Sequence, residues 1–325
     1  KIFRAVLDIA APHVLLITET NVPHEENISY FGNGADEAQL VYQFPLPPLT
    51  LHAFHSGDAT RLTNWAAGIH PPSEQTTFLN FLASHDGIGM RPVEGILTPA
   101  EVQALVERTV AHGGHVSYKA NADGSRSVYE LNISYFDALS NPAAAEPLAL
   151  QVRRFLSAQT LLLSLQGVPA IYVHSLFGSR SDHAGVEQTG HYRSINREKF
   201  QRQKLEQELS DPSSLRRQVL DPYLALLRRR AAQPAFHPSS GQQIVEGPPG
   251  LFVLLRSTGD GSQSILCAHN VSPTPQRLHV ERDMLHLPRA GRIGDLISGA
   301  VWQADQASVV ELAPYQAMWL TELAE

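Results

Sequence analysis

Two carboxylate residues that follow short apolar runs are the strongest chemical signal in the chain. Glu19 follows the run VLLIT, and Asp86 follows QTTFLNFLA with His85 directly before it. A buried carboxyl has a raised pKa and can act as a general acid near neutral pH, whereas a hydrogen-bonded neighbour stays ionised. Such a pair suits glycosyl transfer. A carboxylate at a strand end is also commonly a loop or helix cap, so capping is the competing interpretation.

Other side chains could contribute, but each has a structural interpretation beside the chemical one. His52 and His55 lie one helical turn apart, yet no further metal ligands are evident, so we expect helix packing and no metal site. Aromatic residues near position 135 could stack on a sugar ring or pack in a core. Four basic residues near one loop could bind an anion or could simply be solvated; they are Arg180, Arg193, Arg197 and Lys199.

Four short apolar segments predict the strands that would position these residues. They cover residues 13–21, 40–44, 75–83 and 170–174, and the sequence predicts helices between them, at 49–56, 98–111 and 147–166. This alternation predicts a parallel sheet with crossover helices. The carboxyl ends of parallel strands share one edge, so Glu19, His85, Asp86 and His174 would lie along one rim.

The last eighty residues have a different pattern. From residue 242 the sequence consists of short apolar segments separated by turn signals such as Gly259-Asp260-Gly261 and Pro273-Thr274-Pro275. This pattern predicts an all-β antiparallel domain. We predict two further helices before it, at 197–208 and 213–232.

Composition excludes several classes of protein. The 325 residues are 43% hydrophobic and 18% charged, which favours a folded globule over disorder. The net charge of −7 disfavours nucleic acid as a partner. A single cysteine, Cys267, cannot form an intrachain disulfide, and no apolar run reaches the length of a membrane span, so we expect a cytoplasmic protein.

Three segments carry a resemblance to a known family. They are LLITETNVPHEE, VYQFPLPPLTLHAFHSGD and, above all, FLASHDGIGMRP. Together with the Asn196-Arg197 pair, they resemble glycoside hydrolase family 13, the α-amylase superfamily, and within it the sucrose phosphorylase group. The SYFDAL and EQTGHYRSINREK segments are more similar to glucosylglycerate phosphorylases than to sucrose phosphorylases.

The resemblance implies a fold and a domain division. The fold would be α/β, the C-terminal half of a (β/α)8 barrel with an inserted subdomain, followed by an all-β antiparallel C-terminal domain. Residues 1–90 would carry barrel strands five to seven, and 91–145 an inserted subdomain with a mobile loop. Residues 146–238 would supply strand eight with the closing helices, and 239–325 the β domain.

The resemblance also assigns roles to residues of this chain. Glu19 would be the general acid/base and Asp86 the transition-state stabiliser. The substrate-binding residues would include Tyr129, Glu130 and Asn132, in the mobile loop that contacts acceptor or phosphate. Sucrose phosphorylases carry Gln in place of Glu130, which argues against sucrose as the substrate. The remaining binding residues would be His85, Asn196 and Arg197, with Arg197 lining the donor-sugar pocket.

The implied reaction is retaining phosphorolysis of a small α-glucoside. Glu19 would protonate the leaving oxygen, a carboxylate would form a glucosyl-enzyme, and phosphate would attack it. The co-substrate would be inorganic phosphate, with no metal or organic cofactor. In the family the nucleophilic Asp belongs to strand four, so we expect these residues to be a piece of a longer enzyme that is inactive alone.

Two alternatives remain open at this point. The protein could be a hydrolase or transglucosylase of the same family, or a catalytically inactive binding module. A half-barrel would leave apolar strand edges uncovered, so we expect exposed apolar surface at residues 14–17 and 170–173 and a possible homo-oligomer.

Overall fold

The computed structural model describes residues 1–280, 291–303 and 309–323. The helices are α1 (Ile2–Ala10), α2 (His24–Ile28), α3 (Leu46–Ser56), α4 (Thr60–Ala67), α5 (Pro99–Ala111), α6 (Tyr135–Leu139), α7 (Leu148–Ser164), α8 (Val173–Leu176), α9 (His183–Thr189), α10 (Arg202–Ser210) and α11 (Leu215–Ala231). The strands of the first 240 residues are β1 (Ile17–Thr18), β2 (Leu40–Tyr42), β3 (Thr77–Asn80), β4 (Ile88–Gly89), β5 (His115–Ala120), β6 (Arg126–Asn132) and β7 (Val168–Pro169). The strands that follow are β8 (Gly241–Val245), β9 (Leu251–Ser257), β10 (Ser264–Asn270), β11 (Gln276–His279), β12 (Arg292–Asp295), β13 (Val301–Gln303), β14 (Val309–Leu312) and β15 (Ala317–Leu323).

Four parallel strands form the sheet that the sequence predicts. Their order is β1-β2-β3-β7. Ile17 lies opposite Leu40, and Leu79 lies opposite Val168, so the register is continuous across the sheet. Helices connect the strands, as in half of a (β/α)8 barrel. The predicted α/β class is therefore confirmed.

The strands are shorter than predicted, and the fourth lies elsewhere. Residues 170–174 do not form a strand, because pairing with β3 ends once the Ala170 amide donates to the Asn80 carbonyl, and a helical turn begins at Val173. The apolar segment before β1 is exposed, Leu15 by 60%. Val173 is also exposed, whereas residues 170–172 are half-buried. The expected exposed apolar surface is therefore present before β1 but only in part after β7.

The helices follow local sequence signals with a few shifts. Helix α3 begins at Leu46, three residues earlier than predicted, because Pro47 and Pro48 occupy first-turn positions that need no amide donor. Helix α4 has no counterpart among the predicted helices. The helix predicted from residue 197 begins at Arg202, since Arg197 ends a 3-10 turn that covers Tyr192–Asn196.

The inserted segment is an antiparallel unit beside the parallel sheet. Its three strands have the order β4-β6-β5. Helix α5 begins with the predicted capping box, in which the Thr98 side chain accepts from the Glu101 amide and the Glu101 carboxylate accepts from the Thr98 amide. The unit continues into α6, which contains most of the SYFDAL motif.

The C-terminal strands form the antiparallel domain that the sequence predicts. Six strands are arranged in the order β13-β12-β15-β10-β9-β8, and β11 pairs with β14 in a second, two-stranded sheet. The apolar cluster in this domain contains Leu251, Val253, Leu266, Leu278, Leu312 and Leu320. The parts of the predicted domain at residues 281–290, 304–308 and 324–325 lie outside the described residues.

Ser164 joins the β domain to the helical layer. Its hydroxyl accepts a hydrogen bond from Trp319 Nε1 at 2.8 Å and lies 3.1 Å from His269 Nε2. Its carbonyl accepts from Arg256 Nη1 at 3.0 Å. All four residues are buried, and Trp319 belongs to the same apolar core as Leu161 of α7. The β domain therefore shares a core with the barrel helices.

Within the described ranges, no helix is long and apolar enough to cross a membrane.

Candidate active site

The Asp86 carboxylate lies in the loop after β3, where two guanidinium groups meet it. Its Oδ1 atom is 3.0 Å from Arg197 Nη2 and 3.0 Å from Arg193 Nη1. The Nε2 atom of His85 lies 3.5 Å from the same oxygen. Its Oδ2 atom accepts no hydrogen bond from the residues that the structure describes. One oxygen thus fixes the carboxylate, and the other can face a ligand.

Hydrogen bonds from side chains to backbone carbonyls hold the Asp86 loop against the segment that follows β7. Asn196 Nδ2 donates to the Asp86 carbonyl at 3.0 Å, and Arg197 Nε donates to the His85 carbonyl at 2.7 Å. The Tyr172 hydroxyl donates to the Asn196 carbonyl at 2.7 Å. The structure therefore brings together His85, Asp86, Asn196 and Arg197, four residues that the resemblance assigns to one site.

Glu130 is bound by Arg193 in a bidentate ion pair. Arg193 Nε donates to Oε2 at 3.0 Å and Nη2 donates to Oε1 at 2.5 Å. The Glu130 hydrogen bond raises the pKa of Arg193, and its charge adds to this. Glu130 is only 4% exposed and belongs to strand β6, so the expectation that it lies in a loop is wrong. Pairing with β4 and β5 is what gives this segment its regular structure.

Tyr129 and Asn132 also belong to strand β6 rather than to a loop. The Tyr129 carbonyl accepts from the Met90 amide at 3.0 Å, and its side chain is half-buried near Arg193. Asn132 is buried, and its Nδ2 donates to Ser117 Oγ at 2.9 Å. Both residues therefore support the wall of the site next to Asp86.

Glu19 follows β1 at the other side of the sheet and does not contact this group. Its side chain makes no hydrogen bond or ion pair with the described residues, and the residue is exposed. Burial raises the pKa of the neighbouring Tyr42, and the Glu19 charge raises it further. The environment expected for a buried general acid is thus not supplied by the described part of the chain.

The structure shows an aromatic cluster near the ends of β2 and β3 that the sequence analysis does not identify. The rings of Tyr42 and Phe44 are stacked with centroids 5.8 Å apart, and Phe81 packs edge-on against Phe44 at 5.1 Å. Aromatic faces of this kind stack on sugar rings. The alternation in VYQF is the available signal for Tyr42 and Phe44, since residues two apart in an extended chain share one face. No comparable pattern in FLNF marks Phe81.

Several candidates prove to be structural. Tyr135 and Phe136 are buried, so packing rather than sugar stacking is their role. His55 Nε2 donates to the Ala138 carbonyl at 2.8 Å, as helix packing predicts. Arg180 pairs with the buried Asp137 at 2.7 Å. No cluster of three metal-ligating side chains occurs in the described ranges.

Curated relatives named as phosphorylases match most of the chain. A glucosylglycerate phosphorylase of Allomeiothermus silvanus is 51% identical over 99% of this chain and 54% of its own length. One from Escherichia coli is 42% identical over 98% of this chain and 55% of its own length. A sucrose phosphorylase of Agrobacterium vitis is 31% identical over 63% of this chain and 40% of its own. The chain spans about half the length of the first two relatives. No family model matches it.

Solved structures share the fold at low sequence identity. The sucrose 6F-phosphate phosphorylase of Thermoanaerobacter thermosaccharolyticum superposes with a TM-score of 0.66 at 20% identity, over 81% of this chain and 48% of that one. An α-amylase of Geobacillus thermoleovorans gives a TM-score of 0.62 at 12% identity, over 99% and 56%. Both comparisons show the fold alone.

Proposed function

Because the chain belongs to the sucrose phosphorylase group of glycoside hydrolase family 13, we propose that the protein is a glycoside phosphorylase. The reaction is the retaining phosphorolysis of a small α-glucoside to glucose 1-phosphate. The observation that carries the proposal is the placement of Asp86, whose Oδ1 is held by Arg193 and Arg197. A carboxylate fixed in this way offsets the positive charge of an oxocarbenium-like transition state.

The preferred substrate in this proposal is glucosylglycerate. Relatives named glucosylglycerate phosphorylase match the chain with 42% to 51% identity. Glycerate and phosphate are both anions, so the site needs donors for negative charge. A guanidinium has five N–H donors, and Glu130, Asp86 and the His85 carbonyl use only some of those on Arg193 and Arg197. The remaining donors support recognition of an anionic acceptor or phosphate.

The proposed chemistry proceeds in two displacements. Glu19 gives its proton to the leaving oxygen while the glucosyl C1–O bond breaks and C1 bonds to a carboxylate nucleophile. A phosphate oxygen then attacks C1, the carboxylate leaves, and Glu19 takes the phosphate proton. Side chains supply both acid/base catalysis and charge stabilisation, so the proposal invokes phosphate as co-substrate and no cofactor.

We propose further that the 325 residues alone do not turn over. The nucleophile must lie close to C1 and be free to bond to it. Glu130 is tied to Arg193 in a bidentate pair, and Asp86 is tied to two guanidinium groups. The proposal assigns Asp86 to charge stabilisation and leaves Glu130 in its ion pair, so neither residue is the nucleophile.

The test is a product assay on the protein expressed from its complete reading frame. With glucosylglycerate and phosphate, we expect glucose 1-phosphate, and we expect Asp86→Asn to abolish its formation. Free glucose as the main product would support a hydrolase instead. The 325 residues are assayed in parallel against the Allomeiothermus silvanus relative. Turnover at a matching rate would refute the inactivity of the 325 residues.

A further inference from the structure

A groove on the outer side of the barrel helices has the features of a second ligand site. It lies between α7, α11 and the turn that joins β14 to β15, and it has a volume of about 610 Å³. This volume falls within the range of small-molecule sites. The groove shares no lining residue with the site that contains Asp86 and Glu130. The proposed reaction makes no use of it.

Helical periodicity forms two of the walls. On α7 the lining residues Val152, Leu156 and Ser157 recur with helical spacing, so they share one face. On α11 Pro222, Leu226 and their neighbours do the same. Two faces that meet at an angle leave a cleft between them, and the β domain closes its end. The complete lining is Ala149, Val152, Arg153, Leu156, Ser157, Thr160, Pro222, Ala225, Leu226, Arg229, Ile297, Ala313, Tyr315, Gln316 and Ala317.

The Ser157 hydroxyl in the groove and a carbonyl of α11 both lack hydrogen-bond partners that they would normally have. The Ser157 hydroxyl is buried and has no hydrogen-bond partner among the described residues. Pro222 lies inside α11 and has no amide hydrogen, so the Gln218 carbonyl loses its helical donor. A buried hydroxyl without a partner has lost its hydrogen bonds to water and gained none in the protein. The Ser157 hydroxyl is therefore available to a polar atom of a ligand.

The backbone of the third wall is strained. Tyr315 has φ of 55°, and it is the non-glycine residue with positive φ in the described chain. Residues held in this region concentrate at ligand sites, where the surrounding structure over-determines them. The Arg154 guanidinium lies 4.5 Å from the Tyr315 ring centroid and holds the ring in place. The contact with Arg154 therefore fixes the ring that lines this wall of the groove.

The charges at the mouth identify the class of ligand. Arg153 and Arg229 are exposed residues of the lining, and no carboxylate belongs to it. Arg229 Nη1 donates to the Ile297 carbonyl, which fixes the guanidinium at the rim and leaves other donors for an anion. An apolar floor with a cationic rim complements an amphipathic anion. We propose that this groove binds a small amphipathic carboxylate, with its apolar part between α7 and α11 and its carboxylate at Arg153 and Arg229.

The experiment uses octanoate and 1-octanol as probes in equilibrium dialysis with the 325-residue chain. We expect saturable octanoate binding that Ala225→Phe abolishes, because the ring fills the groove. Ala104→Phe, on the exposed surface of α5, is the matched control and should leave binding unchanged. Octanoate should also raise the melting temperature of the wild-type chain but not of Ala225→Phe, provided that both variants unfold cooperatively.

Charge recognition is tested separately. Arg229→Gln should weaken octanoate binding about fivefold and leave 1-octanol binding unchanged, whereas Arg228→Gln, one residue away, should alter neither. Octanoate binding that survives Ala225→Phe would overturn the proposal. So would equal losses for the acid and the alcohol in Arg229→Gln. Binding that is lost in Phe3→Ser would assign the ligand to the exposed face of α1 and likewise refute the groove.

Discussion

Arg193 and Glu130 form an ion pair whose two members differ in burial, and this difference sets the cost of removing each one. The Glu130 side chain is 5% exposed, whereas the Arg193 side chain is 41% exposed. If Arg193 is removed, the Glu130 charge stays buried without a partner. If Glu130 is removed, Arg193 can turn to water. Loss of the guanidinium should therefore be the more costly change.

We expect Arg193→Gln to lower the free energy of unfolding by about 2 kcal/mol, less than for a fully buried pair because the guanidinium is partly solvated. Glu130→Gln should cost about 1 kcal/mol or less. Urea denaturation of both variants measures the difference. Arg202→Gln, from an exposed ion pair with Glu206, is the control and should change stability little. A larger loss in Glu130→Gln than in Arg193→Gln would contradict the burial argument.

Two buried histidines make stability depend on pH. Burial lowers the pKa of His55 and of His269 to about 3, so the folded chain keeps both imidazoles neutral where the unfolded chain binds protons. The free energy of unfolding should be independent of these groups at pH values well above about 6.5, the ordinary pKa of histidine. Below it, stability should fall by up to about 1.4 kcal/mol per pH unit for each group.

Urea denaturation between pH 8 and pH 5 measures this slope. In His55→Gln the glutamine amide can still donate to the Ala138 carbonyl. The slope of the free energy of unfolding against pH should fall by the contribution of about one bound proton. His70→Gln, at an exposed position, is the control and should leave it unchanged. An identical slope in His55→Gln and in the wild type would show that His55 is not the titrating group.

Residues that are adjacent in the chain are easier to identify from sequence than residues that meet through the fold. His85-Asp86 and Asn196-Arg197 are recognisable pairs, and the structure brings them together. Arg193 was one of several basic residues near a loop, because nothing local shows that β6 carries Glu130 to within 3.0 Å of it. Glu19 was predicted from its position after a strand. Its surroundings depend on groups that a local pattern does not specify.

At the scale of elements, Gly167 governs how β7 docks on the sheet. Its φ is +123°, and a Cβ placed on it would lie 2.6 Å from the Phe78 carbonyl oxygen. The adjacent β7 pairs with β3 through Leu79 and Val168. A side chain at this position would therefore push β7 away from β3.

Gly167→Ala should destabilise the chain by about 3 kcal/mol or more, since backbone strain and a contact with a rigid carbonyl add together. Gly124→Ala is the matched control. Its φ is +83°, but no atom lies within 4 Å of the position that an alanine methyl would take, so it reports backbone strain alone. That strain costs about 1 kcal/mol. Chemical denaturation compares the two. Equal effects would exclude the contact with Phe78 as the cause.

The predicted elements differ from the observed ones where tertiary contacts decide their ends. The capping box at Thr98 and Glu101 is a local signal, and helix α5 begins there as predicted. Residues 170–174 have the composition of a strand, but the chain turns into α8 after the last hydrogen bond to Asn80. The antiparallel β domain was predicted because turn residues separate its strands at regular intervals. Its connection to α7 through Ser164 has no local signature.

At the scale of the whole molecule, α1 and the segment before β1 both carry exposed apolar side chains. Ile9 is 89% exposed, and Ile2, Phe3 and Leu15 are also exposed. Exposed apolar side chains drive association, and so do strand edges without a partner.

We expect the 325-residue chain to associate as its concentration rises and to bind a hydrophobic dye. Phe3→Ser with Ile9→Ser should reduce both signals. Val110→Ser, at an exposed apolar residue of α5, is the control and should not. Light scattering and dye fluorescence measure the two effects. A monodisperse monomer with low dye fluorescence would contradict the expectation.

The strand order β1-β2-β3-β7 also constrains the symmetry of any assembly that these edges form. The two outer strands are different segments that point in the same direction, so a parallel contact between copies joins β7 of one to β1 of the next. Such a contact is heterologous. Repeated with a rotation that closes, it gives a ring, and two copies related by a twofold axis would complete eight parallel strands. Without closure, the same contact gives a filament, and the rotation between neighbouring copies decides between the two.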